Sequence, residues 1–243
     1  MILEIREYPK NLELLANQHI GKFLEGDSKE ILISRARSLG SDIRRNMEDW
    51  RFSISREHPL TFKKNNRKLK IDISCEIEGI GDDIKKQNIL LRVWCLDENI
   101  CYRDGIDHPE IRNELESIGW KRVILRFHFD LREPKVKQPE PLYHLQVGGI
   151  NPMGDENCWL PEQIEIPRFP YPPMDIILLC EFVLMNFFPE DYEKLREKPE
   201  WRSLVRKSQV LFQKHYFKMC WRCLNRSSDA TLMENLVTRT RGL

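Results

Sequence analysis

The chain has 243 residues, 41% of them hydrophobic and 32% charged, with 39 Lys/Arg against 38 Asp/Glu for a net charge of +1. This composition describes a globular chain with a sizeable core and excludes a low-complexity or disordered one. The near-zero total excludes a strong overall pull toward polyanions, yet residues 201–243 carry +7 and the first 200 residues −6.

Residues 9–24 read as a helix opened by Pro9. A second helix begins near Asp27, with Glu30 in capping-box spacing and Ile31, Ala36, Leu39 and Ile43 on its apolar face. Gly40 is a weak point in it. Trp50, Phe52 and Ile54 alternate with polar residues and predict a strand. Strands at 58–63 and 68–78 flank Asn65-Asn66 as a hairpin, and 88–96 is a more apolar, more central strand. Asp107-His108-Pro109 opens a short inserted helix to about residue 118. In 121–131, Val123, Leu125, Phe127, Phe129 and Leu131 form one apolar face opposite Arg126, His128 and Asp130. Residues 143–147 repeat the alternation, with His144 and Gln146 on the polar side.

Nine of the fourteen prolines fall between Pro134 and Pro173. Proline fixes φ, so this stretch reads as a loop. Its Tyr, Trp, Phe, Leu and Ile make it an ordered one, packed on the domain. Pro173 and Asp175 open an all-round apolar helix to Phe188, which should be buried. Pro189 opens a short helix, Pro199 opens a long one to about Asn225, and residues past Ser227 read as a fraying or partner-dependent tail.

The expected fold is α+β: a mainly antiparallel sheet with N-terminal helices and a helical C-terminal subdomain. One domain spans 1–243, with helices in 1–47 and the sheet with one inserted helix in 48–147. The Pro-rich loop at 134–173 overlaps the last strand, and the C-terminal helices occupy 174–226.

Four features carry candidate chemistry. The first is the polar sheet face of Glu76, Arg126, His128, Asp130, His144 and Gln146. Period-two geometry places His128 beside Arg126 and Asp130, about 7 Å along the strand. Pairing with the His144 strand would bring two histidines and a carboxylate together, as a metal-dependent hydrolase or general acid–base work requires. The competing reading is cross-strand salt bridging on a solvated face. The second is Cys158, fourteen residues after His144, a nucleophile if its thiolate is stabilised. Asp155 and Glu156 oppose that, and packing under Trp159 is the competing reading. The third is Cys220-Trp221-Arg222-Cys223 with His215 nearby; no second C-x-x-C exists to complete a zinc site, so core packing is the better account.

The fourth is the basic helix. Lys214, Lys218, Arg222 and Arg226 recur every four residues, with Arg202 and Arg206 before them. Such a row can follow a phosphate backbone. Trp201, Leu204, Leu211, Phe212, Tyr216, Met219 and Cys223 form the stripe that packs it. Tyr143, Arg168, Phe169 and Tyr171 are residue types favoured at protein-partner anchors.

The order of N-terminal helix, antiparallel sheet, proline-rich loop with His144 then Cys158, and helices resembles that of ubiquitin-conjugating E2 enzymes and the related RWD domains. The resemblance covers about residues 27–190 and is one of chain order. His144-Leu145-Gln146 stands where that family has His-Pro-Asn. It implies a Cys/His-dependent enzyme using His144 and Cys158.

No G-x-G-x-x-G, G-x-x-x-x-G-K-[ST], G-x-S-x-G or H-E-x-x-H occurs, so no cofactor or metal is expected. Seven cysteines without disulfide-like spacing, an acidic N-terminus and no membrane-length apolar stretch predict a cytoplasmic chain with no membrane contact. The main expectation is a non-catalytic component of a multi-protein assembly with a protein partner. A prokaryotic antiviral defence complex is one example of such an assembly. The basic helix would add a nucleic-acid contact.

Overall fold

The computed structural model describes residues 3–45, 49–63, 69–81, 83–95, 122–132, 141–148, 168–225, 231, 232 and 236. Helix α1 spans Leu3–Leu14 and continues as a π-helical turn, Leu15–Ile20; helix α2 spans Ser28–Arg45. The strands are β1 Asp49–Ile54, β2 Leu60–Lys63, β3 Leu69–Ile80, β4 Asp83–Cys95, β5 Arg122–Leu131, β6 Tyr143–Val147 and β7 Arg168–Pro170. The C-terminal helices are α3 Ile176–Phe187, α4 Pro189–Arg196, α5 Pro199–Phe212 and α6 Lys214–Leu224. The fold is α+β, as its alternations predict.

All seven strands pair antiparallel in the order β1-β3-β4-β5-β6-β7, with β2 sharing the β3 edge with β1. One sheet face carries Phe52, Phe62, Ile71, Ile73, Leu91 and Phe129, all buried beneath the helices. Aromatic edges lock the two layers together. Tyr8 of α1 meets Phe52 at 6.4 Å between ring centroids, and Phe182 of α3 meets Phe129 at 6.0 Å. Asp175 caps α3 by accepting from the Leu178 amide at 2.9 Å and also accepts from Ser208 Oγ of α5 at 2.5 Å. That carboxyl is fully buried, and burial raises its pKa.

Several sequence expectations are corrected. Helix α1 begins six residues before Pro9, which sits inside it. Burial of Ile5, Tyr8 and Leu12 at helical spacing offsets the hydrogen bond that proline removes. Gly40 is no defect: a Cβ there would sit 3.4 Å from the Pro9 ring, so it lets α1 and α2 approach closely. The buried face of α2 uses Leu32, and Ile31 is only half-buried. A register shift at Val93/Trp94 pairs Trp94 with Val123, which moves Val123 to the polar face, and Leu125 is 40% exposed. The apolar face of β5 is therefore broken. The last part of the Pro-rich stretch is a strand, β7, on the end of the sheet, where proline is tolerated. The long C-terminal helix is interrupted at Gln213, whose side-chain amide donates to the Pro173 carbonyl at 3.1 Å. Past Ser227, the described Leu236 is buried and its carbonyl accepts from the Leu142 amide at 3.3 Å, a docked position rather than a frayed one. The inserted helix at 107–118, the Asn65-Asn66 turn and Cys158 lie outside the described residues.

Candidate nucleic-acid interface

Helix α6 reads Lys-His-Tyr-Phe-Lys-Met-Cys-Trp-Arg-Cys-Leu and holds no acidic residue. Its inner side is fixed by Tyr216, which packs edge-on against Tyr143 of β6 at 6.0 Å, and by buried Cys223. Burial pushes the Tyr143 and Tyr216 hydroxyls above the ordinary tyrosine range. The outer side combines two rows. Phe217, Trp221 and Leu224, at spacings of four and three, are 55%, 68% and 63% exposed. Lys214, Lys218 and Arg222 form the adjacent row and make no ion pair among the described residues. Together Lys214, Phe217, Lys218, Trp221 and Arg222 line one shallow depression of about 550 Å³.

Large aromatic side chains normally bury most of their surface. Phe217 touches Tyr216 edge-on at 5.6 Å but leaves most of its ring in water, as Trp221 does, beside three unneutralised cations. The arrangement can stack flat π-systems and neutralise phosphates. Sequence reasoning found the cations and missed the aromatics. The signal was present: Tyr216, Phe217, Met219, Trp221, Cys223 and Leu224 span more than one helix face, so α6 cannot pack them all. On α5, Arg202 and Arg206 are also exposed, and Lys207 pairs with Glu7 at 3.1 Å. Arg226 lies outside the described residues.

The polar sheet face differs from the expected solvated one. Only its outer end fits that description, where Arg51 and Lys86 bridge Glu76 and Arg51 also reaches Glu78 at 3.4 Å. Its centre is buried, with Asp72 at 2%, Arg126 at 3% and His144 at 5% exposure. Asp72 accepts from Arg92 Nε at 2.7 Å, from the second Arg92 nitrogen at 3.2 Å and from Trp94 Nε1 at 2.7 Å.

Strand β6 does pair with β5, so Asp130 faces His144 and His128 faces Gln146. However, Arg126 Nε donates to His128 Nε2 at 2.8 Å. Burial first, then the Arg126, Arg56 and His144 charges, push His128 down to about 3. A neutral imidazole whose acceptor nitrogen holds a guanidinium is a poor general base at that atom. His144 Nδ1 donates to the Pro141 carbonyl at 3.2 Å. Among the described residues, no group of three or more His, Cys, Asp or Glu is placed to hold a metal.

Of the partner-anchor residues, Phe169 is 54% exposed, while Arg168, Tyr143 and Tyr171 are half-buried. Tyr171 packs on Phe129 at 5.2 Å. Cys75, Cys180, Cys220 and Cys223 are free thiols, and burial pushes Cys75 up to about 12. Cys220 is half-buried one turn from buried Cys223, in keeping with packing. No helix among the described residues is long and apolar enough to cross a membrane. Comparison with family models, with curated proteins and with solved structures returned no match.

Proposed function

We propose that this chain works by binding, as a component of a larger assembly, and that α6 is its contact for single-stranded nucleic acid. One observation carries the reading. Trp221 and Phe217 stand exposed at helical spacing beside Lys214, Lys218 and Arg222, on a helix without a single acid. Bases stack on the rings and phosphates meet the cations, which gives sequence-tolerant and salt-sensitive binding. The acid–base reading of the polar sheet face draws less support, because Arg126 Nε already occupies His128 Nε2.

A mobility-shift titration with labelled poly-pyrimidine and mixed-sequence single strands tests the reading. The Lys214→Glu/Lys218→Glu/Arg222→Glu variant and the Trp221→Ala variant should both lose affinity and keep the wild-type circular dichroism. Equal affinities in all three proteins would refute it.

A protein partner is the second contact this reading includes. Phe169 on β7 supports it, as a large exposed aromatic on the end strand of the sheet.

A further inference from the structure

The two outer rows of α6 share one repeat. Each helical residue rises about 1.5 Å, so Lys214, Lys218 and Arg222 follow one another in steps of about 6 Å. Phe217 and Trp221 keep that step and stand about 4.5 Å beyond Lys214 and Lys218. The order along the axis is cation, ring, cation, ring, cation. Successive residues also turn by about 100°, which sets the rings and the cations about 80° apart round the helix. Both rows lie opposite the buried Tyr216 and Cys223, and all five residues line one depression of about 550 Å³.

The repeat has definite ends. Val210 and Gln213, one step before Lys214 and Phe217, offer neither charge nor ring. Asn225 stands one step after Trp221, and Leu224 prolongs the apolar edge without a π-face.

We infer that α6 holds a two-nucleoside segment of an extended single strand laid along the helix axis. Its two bases stack on Phe217 and Trp221, and the three phosphates that bracket them meet Lys214, Lys218 and Arg222. This rests on the reading of α6 as a nucleic-acid contact and gives that contact its register and length. The alternation selects the occupant. A nucleic-acid strand is a polyanion that alternates charge with flat rings. A run of acidic side chains would meet the cations and leave both rings in water. The step selects the strand's form. Phosphates of a stacked strand advance about 3.4 Å per nucleotide along the axis, so a step of about 6 Å pulls neighbouring bases out of their stack. Each base face then turns to a protein ring, which a duplex cannot offer.

Fluorescence anisotropy at low salt, with a labelled thymidine dodecanucleotide displaced by unlabelled di-, tetra- and dodecanucleotides, tests this. The tetranucleotide carries two inner nucleosides bracketed by three phosphates, and the dinucleotide carries a single phosphate. The tetranucleotide should bind at least about tenfold more tightly than the dinucleotide. The dodecanucleotide should gain no more than about tenfold over it, through its greater number of registers. A tetranucleotide lacking its two inner bases should bind the wild type about tenfold more weakly and lose nothing further in Trp221→Ala. Equal affinities of the di- and tetranucleotide would overturn the register. So would a dodecanucleotide preferred about a hundredfold, or an abasic strand as sensitive to Trp221→Ala as the intact one; the α6 reading then stands on the loss shown by the triple charge variant. If no strand of any length binds, both readings fall and an acidic protein becomes the partner to seek.

Discussion

Phe212 and Tyr8 meet edge-on with ring centroids 5.1 Å apart, and both side chains are buried. This contact ties the end of α5 to the first half of α1 and so sets where α6 starts. Trp50 also meets Phe212 edge-on at 6.4 Å. Replacing Phe212 with Ala should cost about 3–5 kcal/mol and lower the melting temperature by roughly 10 °C in a chain of this size. Scanning calorimetry checks it. A shift of only a degree or two would mean that α6 is positioned by other contacts.

Two tryptophans provide a matched pair. Trp201 is 1% exposed and packs against His19 at 5.5 Å, whereas Trp221 is 68% exposed. Trp201→Ala should destabilise by about 3–5 kcal/mol. Trp221→Ala should change stability by less than about 0.5 kcal/mol and weaken single-strand binding by about 1–3 kcal/mol, the worth of one stacked base. Denaturant melts and binding titrations on both variants separate these effects. A large stability loss in Trp221→Ala would argue that the ring serves packing.

Asp72 predicts a different kind of loss. It is 2% exposed and receives Arg92 through both carboxylate oxygens. Asp72→Ala leaves the Arg92 charge buried without its carboxylate and should cost about 3–5 kcal/mol. The double replacement by Leu and Met should cost much less, since removing both charges leaves neither stranded. Urea titrations of the single and double variants measure the difference, and equal losses would contradict the pairing.

Two histidines, buried His19 and half-buried His128, set an acid-side dependence. His19 is lowered by burial first and then by Lys198, and His128 is pushed down to about 3, so both fold neutral. In the unfolded chain each takes up a proton near pH 6.5. The unfolded state then binds more protons, so stability is full above about pH 6.5 and is lost progressively as pH falls toward 3. Asp175, with its pKa raised by burial, works the other way at the acid end, which makes the range from pH 6.5 to 5 the informative one. His128→Gln keeps an acceptor for Arg126 and should flatten the slope there. Identical slopes in wild type and variant would show that His128 is not the group responsible.

Much of the sheet was legible because its alternation is strict. Trp50, Phe52 and Ile54 point inward in β1, as their spacing requires. The errors arose where tertiary contacts override local signals. Pro9 reads as a helix start, yet the Ile5–Tyr8–Leu12 face carries the helix through it. Val123 reads as part of an apolar row, but a register shift against Trp94 turns it over, and no local pattern encodes that shift. Asp72 reads as one acid among several, because a strand pattern does not reveal that Arg92 lies opposite it. The basic row of α6 was readable from its four-residue spacing.

The measurement that tests the central claim most directly is the salt dependence of single-strand binding, compared between the wild type and the Lys214→Glu/Lys218→Glu/Arg222→Glu variant. Each phosphate contact on a single strand contributes about −0.7 to the slope of log affinity against log salt. The account predicts a wild-type slope steeper than about −2 and a variant slope shallower by about 2. A wild-type slope near zero, or the same slope in both proteins, would contradict it.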